Sequence, residues 1–186
     1  MVQSGDNVEF YEKTIQYNHP MKERDFYSKE VNRRFRVRIT KNDDIEKCMI
    51  TWKKRLNEVS RNEINKEEEI EVRIDSRDYD NLIQLLTGVV GLVRVESYER
   101  YRHVFRNNEI EIVVDGYPFG VALKIESKTD EDRSEEEILK WLDKLGLDVR
   151  DSYKLFGDDK YNELCRKQKK EVFKGVLFGL DMPMVK

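Results

Sequence analysis

The sequence is poor in the residues that build disulfide frameworks, zinc sites and flexible linkers. Among 186 residues there are two cysteines, two histidines, three prolines and nine glycines. Cys48 and Cys165 lie far apart, and neither they nor His19 and His103 have the spacing of metal ligands. We therefore expect two reduced thiols in a cytoplasmic protein, no zinc site and no long linker.

Long apolar runs and an excess of one charge are also absent. No stretch approaches the ~18 apolar residues of a membrane-spanning helix, and residues 1–10 contain no signal-peptide core. The 35 basic residues nearly balance the 38 acidic ones, which argues against a protein that coats DNA nonspecifically. Apolar residues make up 38% of the chain and are spread along it, so we expect one folded domain over residues 1–186, without membrane contact.

Charge itself is abundant, and much of it alternates with apolar residues. Charged residues make up 39% of the chain, against about a quarter in an average protein. Residues 33–40, RRFRVRIT, and residues 67–74, EEEIEVRI, both have the period of two that is typical of β-strands with different faces. Further strands are predicted over residues 8–17, 47–56, 92–105, 109–118 and 119–127, with a hairpin turn at residues 107–108.

Three segments are predicted to be helical. Residues 75–88 and 134–147 carry apolar residues at helical spacing after a capping aspartate or serine, and Gly88 is expected to end the first helix. Residues 159–178 are predicted to form a second terminal helix. Its basic run at residues 165–170 is interpreted as a solvated face rather than an RNA-binding patch.

The order of these elements predicts an α+β fold. We expect a closed antiparallel β-barrel of about eight strands over about residues 8–127, with C-terminal helices over about residues 131–180 packed outside. The polar strand face is then either a solvated surface with weak ion pairs, or a charged interior that holds one small ligand. Carboxylates bind Mg²⁺ or Mn²⁺, and Arg and Lys bind phosphate oxygens, so a polyphosphate with its metal ion suits such an interior.

The order and placement of the charges resemble the CYTH domains of the triphosphate tunnel metalloenzyme superfamily. The resemblance runs from about Glu9 to the helix after Ser134. It rests on a first strand of the Glu-x-Glu-x-Lys type, an arginine strand, a Thr-x-Lys strand, two Glu-x-Glu strands, a basic-x-Arg strand followed by an aromatic residue, and an aspartate strand. The residues that match are Glu9, Lys13, Arg36, Arg38, Thr51, Lys53, Glu69, Glu71, Arg100, Arg102, Phe105, Asp115 and Glu126.

The chain departs from the family pattern at three places. Tyr11 and Lys124 stand where the family has glutamates, and Glu12 reaches the face of Glu9 only if a β-bulge shifts the strand. Only residues 14–35 lie between Lys13 and the next matching arginine, so a helical turn or a hairpin replaces the helix and strand that the family places there. Fewer carboxylates are expected to weaken metal binding.

The resemblance implies metal-dependent hydrolysis of tripolyphosphate, thiamine triphosphate or a nucleoside triphosphate, with Mg²⁺ or Mn²⁺ as cofactor. The residues expected to take part in catalysis are Glu9, Lys13, Lys53 and Glu71. Those expected to bind the triphosphate are Lys13, Arg36, Arg38, Lys53, Arg100 and Arg102. Those expected to bind the metal are Glu9, Glu69, Glu71, Asp115 and Glu126.

Other functions stay open at this point. On the same scaffold they are a class IV-type adenylate cyclase, an RNA 5′-triphosphatase and a noncatalytic polyphosphate or nucleotide binder. A function of another class is an interaction protein whose charged sheet meets a partner. The expected partner is a small-molecule triphosphate, with an RNA 5′ end and a homodimer as further alternatives.

Overall fold

In the part of the chain that the structure describes, the alternating segments and one further short strand form a sheet of eight strands. The computed structural model describes residues 7–25, 33–43, 46–56, 67–129, 131–152, 157–168 and 175–179. The strands are β1 (Asn7–Asn18), β2 (Arg33–Lys41), β3 (Glu46–Arg55), β4 (Glu67–Ile74), β5 (Val93–Arg106), β6 (Ile110–Tyr117), β7 (Gly120–Ser127) and β8 (Gly175–Val176). The predicted α+β class and the predicted strands before residue 128 are confirmed.

The sheet is antiparallel and curled, but it is not closed. Its strand order is β4-β3-β2-β1-β5-β6-β7, and the short β8 lies parallel to β5. Within the part of the chain that the structure describes, no pairing joins β4 to β7, so the expected closed barrel is wrong and the sheet is a half-barrel. Both edge strands carry charged side chains, which is how natural proteins keep an open edge from pairing with other chains.

A helical segment between β4 and β5 covers one face of the sheet. A 3₁₀ turn at Ser76–Asp78, the helix α1 (Tyr79–Gln84) and a π-helical turn at Leu85–Val89 follow one another without a break. Leu86 and the following Leu92 pack with Ile15, Tyr17, Val37 and Cys48, which lie on the apolar side of β1, β2 and β3. We call this side of the sheet the apolar face.

The start of this segment is capped as predicted, and its end is different. The Asp75 side chain accepts a hydrogen bond from the backbone N–H of Arg77, as expected of an N-cap. Gly88 lies inside the π-helical turn, and the residue with left-handed backbone is Gly91, with φ of 79°. Glycine tolerates this conformation without a steric cost, so Gly91 is where the chain turns into β5.

The described C-terminal residues include the helices α2 (Glu131–Leu145) and α3 (Gly157–Lys167). The helix predicted over residues 159–178 is wrong at its end, because Gly175 and Val176 pair with β5. Val176 is 1% exposed, so burial of its side chain stabilises this short strand. The expectation that every helix packs outside is also wrong for α3. Its Tyr161 belongs to a cluster with Tyr98 of β5, and Tyr98 lies on the side of the sheet opposite to the apolar face.

Some predicted features lie at the limits of the described residues. The segment between β1 and β2 contains the expected helical turn, a 3₁₀ turn at Lys22–Arg24, and residues 26–32 are outside the described part. The polar loop at residues 57–66 is outside it too. Among the helices that are described, none combines the length and the apolar character needed to cross a membrane.

Candidate functional site

The strand register brings charged side chains from seven strands onto one face, which we call the charged face. Residues opposite each other in an antiparallel pair point to the same side, so the pairs define this face without ambiguity. Among them Glu12 pairs with Arg100, Lys53 with Glu69, and Arg102 with Asp115. The charged face includes Glu12, Thr14, Arg36, Arg38, Thr40, Thr51, Lys53, Glu69, Glu71, Tyr98, Arg100, Arg102, Asp115, Tyr117, Lys124 and Glu126.

The first strand contributes different residues from those expected. Glu12 and Thr14 lie on the charged face, whereas Glu9, Tyr11 and Lys13 lie on the opposite side, so the expected placement of Glu9 and Lys13 is wrong. The Lys13 ammonium instead pairs with Glu99 at 3.0 Å, and Glu9 lies 3.9 Å from His103. The register of β1 with β5 is regular up to Gln16, so no bulge separates Glu9 from Glu12.

A buried ionic cluster joins β1, β5 and β6. Arg100 donates to Glu12 at 2.8 Å from Nε and 2.6 Å from Nη2, and its Nη1 donates to Asp115 at 3.0 Å. Arg102 holds both oxygens of Asp115, at 2.7 and 2.8 Å. Glu12 and Asp115 are each 4% exposed, and Arg100 is 6% exposed. Four charges can be buried together because each one is paired and hydrogen-bonded.

The ionisation of this cluster follows from its geometry. Burial alone would raise the pKa of Glu12, but the charges of Arg100, Arg102 and Arg38 outweigh it and lower the pKa to about 2. Burial works against the charged form of Arg102, and Asp115 and Glu12 overcome it, so the pKa of Arg102 is raised. Glu12 and Arg102 therefore stay charged at neutral pH.

A second, less buried group lies on β2, β3 and β4. Lys53 approaches Glu69 at 2.7 Å, and Arg38 approaches Glu71 at 3.3 Å. Arg36 lies between the two groups, with Nη2 3.5 Å from Glu69. Burial works against ionisation of Glu69, and Lys53 and Arg36 overcome it, so the pKa of Glu69 is lowered. The side chains of Glu69 and Glu71 are 33% and 36% exposed, which leaves them open to a ligand in the half-barrel.

The far edge of the sheet approaches this second group. Lys124 and Glu126 of β7 form an ion pair with each other. Desolvation lowers the pKa of Lys124, and the positive charge of Lys53 on β3 lowers it as well. The negative charge of Glu126 raises this pKa but does not restore its usual value. Desolvation raises the pKa of Glu126, but the positive charge of Lys124 and, to a smaller extent, that of Lys53 lower it below its usual value. The curl of the sheet thus brings β7 within electrostatic reach of β3.

Aromatic rings border the charged face on the side of α3. Tyr98 and Tyr117 lie with ring centroids 6.1 Å apart, Tyr117 stacks on Phe119 at 5.1 Å, and Phe119 stacks on Tyr161 of α3 at 4.2 Å. The Tyr117 hydroxyl accepts from Arg100 at 3.1 Å. This series connects α3 to the buried ionic cluster and limits the charged face on that side.

The carboxylates of the charged face do not form a preformed metal site. Among the described residues no three His, Cys, Asp or Glu side chains lie close enough to hold a metal ion together. Glu12 and Asp115 are engaged by arginines, and Glu126 by Lys124. Glu69 and Glu71 are neighbouring carboxylates whose side chains are partly exposed. The expected metal set is therefore not gathered, because Glu9 lies on the other face, and Asp115 and Glu126 are engaged by cations.

Most of the charged face was predictable from the sequence, and some of its residues were not. Arg36, Arg38, Lys53, Glu69, Glu71, Arg100, Arg102, Asp115 and Glu126 lie there as predicted. Glu12, Thr14, Tyr98 and Tyr117 were not predicted. The apolar Ile15 and Tyr17 are the signal that identifies Glu12 and Thr14, because residues of one parity share a face and these two belong to the apolar one.

Comparison with known proteins identifies the fold. No family model and no curated protein matches the sequence. Among solved structures, the PH1012 protein of Pyrococcus horikoshii OT3 is 22% identical, with a TM-score of 0.59 over 80% of each chain. A candidate adenylate cyclase of Vibrio parahaemolyticus is 13% identical, with a TM-score of 0.61 over 83% of each chain.

A third similar structure has a named activity. It is the candidate adenylyl cyclase HpAC1 of Hippeastrum, whose description states a dominant triphosphatase activity. It is 16% identical to this chain, with a TM-score of 0.55 over 88% of this chain and 84% of its own. At such identities the likeness concerns the fold, and it confirms that the chain has a CYTH-like fold.

Proposed function

We propose that the charged face binds a molecule with a triphosphate group and that the protein hydrolyses it with Mg²⁺ or Mn²⁺. The observation that supports this most is the juxtaposition of Arg36, Arg38 and Lys53 on one face of a half-barrel. A row of cations inside a curved sheet suits a ligand with several adjacent negative charges. The activity named for the Hippeastrum protein of similar fold is consistent with this substrate class.

The metal ion in this proposal comes with the substrate rather than from a protein cage. Mg²⁺ commonly keeps several waters and uses one or two carboxylates together with substrate phosphates. Glu69 and Glu71, which are adjacent and partly exposed, fit that requirement, whereas the arginine-paired Glu12 and Asp115 do not. Bound there, the ion would supply charge neutralisation at the phosphate oxygens.

The residues of the chain have separate roles in this proposal. Arg36, Arg38 and Lys53 would bind phosphate oxygens, because their present carboxylate partners are partly exposed and exchangeable. Arg100 and Arg102 would mainly hold the first strand to β5 and β6, since Glu12 and Asp115 already use their donors. Phosphoryl transfer needs positioning and charge stabilisation more than covalent chemistry, and the cations of this constellation suit both requirements.

A noncatalytic binder is the alternative that a specific observation favours. Within the described residues, Glu12, Asp115, Glu69, Glu71 and Glu126 all have a cationic partner, which leaves no unpaired carboxylate in this set to orient an attacking water. Such a protein would bind tripolyphosphate and release no phosphate. An adenylate cyclase would release pyrophosphate from ATP instead.

A substrate panel with two readouts separates these functions. Tripolyphosphate, thiamine triphosphate, ATP and a 5′-triphosphorylated RNA are incubated with Mg²⁺, with Mn²⁺ or with chelator, and phosphate and pyrophosphate are both measured. The proposal predicts metal-dependent phosphate release from at least one of them. Pyrophosphate with cyclic AMP would identify a cyclase, and binding without either product would identify the binder.

A pair of variants on β4 tests the role of the exposed carboxylates. Glu71→Gln should raise the concentration of Mg²⁺ needed for half-maximal turnover by about tenfold or more, since one of at most two protein oxygen ligands is lost. Glu68→Gln is the matched control, because Glu68 pairs with Lys54 on the opposite face of the same strand. If both variants need the same concentration of Mg²⁺ for half-maximal turnover, Glu71 is not a ligand of the metal ion.

A further inference from the structure

The floor of the charged face contains polar atoms without hydrogen-bond partners. Thr14 is 0% exposed, and its Oγ1 has no partner among the described residues. The same holds for the Nε atoms of Arg36 and Arg38, two buried arginine nitrogens on the neighbouring strand. Buried polar atoms are nearly always satisfied in native proteins, so unsatisfied ones that lie together point to an occupant with oxygen atoms.

The register places these atoms around one position. Thr14 of β1 lies opposite Arg38 on one side and opposite Tyr98 on the other. The Tyr98 hydroxyl accepts from Nη1 of Arg36 at 3.5 Å, so Arg36 and Tyr98 meet across β1 next to Thr14. A hydroxyl and two guanidinium groups from adjacent strands therefore converge at the floor of the half-barrel.

The contacts of Arg38 leave its Nε–H without an acceptor among the described residues. Arg38 lies 3.9 Å from Glu12, which is too far for a hydrogen bond, and Glu12 already accepts two hydrogen bonds from Arg100. Burial lowers the pKa of Arg38, and Glu12 only partly offsets this. By contrast, the pKa of Arg102 is raised, because Asp115 is bound to it through both oxygens. Nη2 of Arg38 donates to Glu71 at 3.3 Å, so the nitrogen of this guanidinium that has no acceptor among the described residues is Nε.

We infer that Thr14, Arg36 and Arg38 form a subsite for one phosphoryl group and that this subsite binds its ligand without a metal ion. The threonine hydroxyl and the two Nε–H groups would each donate to one oxygen of a tetrahedral oxyanion. This inference rests on the proposed triphosphate-binding function and adds the threonine and the metal independence to it.

The test uses the full chain in chelator, with tripolyphosphate and inorganic phosphate as separate probes in calorimetric titrations. Wild type should bind tripolyphosphate, and Thr14→Val should weaken that binding at least about tenfold, the loss expected for one hydrogen bond to a charged group. Without ligand, Thr14→Val should raise the melting temperature, because it removes an unsatisfied buried hydroxyl. A purely structural role of Thr14 does not combine higher stability with weaker binding.

Thr40→Val is the matched control on the same face. The Thr40 hydroxyl already donates to Glu12 at 3.2 Å, so this variant should lower the melting temperature and leave tripolyphosphate affinity unchanged. The inference is overturned if wild type does not bind either probe in chelator, or if Thr14→Val binds tripolyphosphate as tightly as wild type, which would identify the occupant as a buried water.

Failure of the inference and failure of the proposed function give different results. Metal-dependent phosphate release by wild type, with Thr14→Val unchanged in affinity, would keep the function and reject the subsite. Thr14-dependent binding in chelator with no turnover of any substrate would keep the subsite and reject the hydrolase.

Discussion

Arg100 binds a single carboxylate oxygen of Glu12 through both Nε and Nη2, at 2.8 and 2.6 Å, and both side chains are almost fully buried. The two residues lie opposite each other on β1 and β5, the strand pair with the longest register in the sheet. This ion pair therefore connects the two halves of the half-barrel. We therefore expect substitutions of these two residues to lower the free energy of unfolding.

Removal of Glu12 is expected to be strongly destabilising. Glu12→Ala would leave Arg100 buried with only Asp115 as its anion, and breaking a buried pair on one side costs about 3–5 kcal/mol. Urea unfolding should show a decrease of that size in the free energy of unfolding. Glu9→Ala is the control, because its side chain is 61% exposed and the change should stay within about 0.5 kcal/mol. Similar losses in both variants would contradict the assignment of Glu12 to the buried cluster.

The same carboxylate should make stability depend on pH. The pKa of Glu12 is lowered from 4.5 to about 2, so the folded state favours the ionised form. The corresponding stabilisation, of order 3 kcal/mol, is fully present above about pH 5 and is lost as the pH falls towards 2. The difference in unfolding free energy between wild type and Glu12→Gln should therefore shrink between pH 5 and pH 3. A difference that stays constant over this range would contradict the lowered pKa.

Lys13 should not contribute to ligand binding. Its ammonium pairs with Glu99 on the apolar side of the sheet, where Glu99 also accepts the backbone N–H of Phe178 beside β8. Lys13→Ala should bind tripolyphosphate with unchanged affinity in calorimetry. The exposure of Lys13 predicts only a small loss of stability, since a partly exposed ion pair is worth about 0–1 kcal/mol. A loss of affinity of tenfold or more would contradict the placement of Lys13 on the side of the sheet opposite to the charged face.

The contrast between Lys13 and Arg36 shows what the sequence can and cannot predict. In β2 and β4, alternate residues are charged and the residues between them are mostly apolar. The period of two therefore shows which residues share a face. In β1 both parities carry charged or polar residues, and the choice depends on Ile15 and Tyr17 at the end of the strand. The family motif favours Glu9 and Lys13, but the burial of these two apolar side chains decides the register.

Local sequence patterns predict neither whether the barrel closes nor that the C-terminal strand β8 pairs with β5. Whether β4 meets β7 depends on the accumulated twist and curl of seven strands, which no single segment encodes. The strand at Gly175–Val176 is two residues long and has no periodicity to detect. Tyr161 of α3 and Tyr98 share a cluster although they lie far apart in the sequence. These features follow from tertiary packing, whereas most of the charged face follows from strand alternation.

The most direct test of the central claim compares two adjacent lysines of β3. Lys53 lies on the charged face and pairs with Glu69, whereas Lys54 lies on the opposite face and pairs with Glu68. Calorimetric titration of tripolyphosphate into wild type, Lys53→Ala and Lys54→Ala should show at least about tenfold weaker binding for Lys53→Ala, the equivalent of one charged hydrogen bond, and unchanged binding for Lys54→Ala. Equal affinity in all three proteins would contradict the claim that the charged face binds the triphosphate.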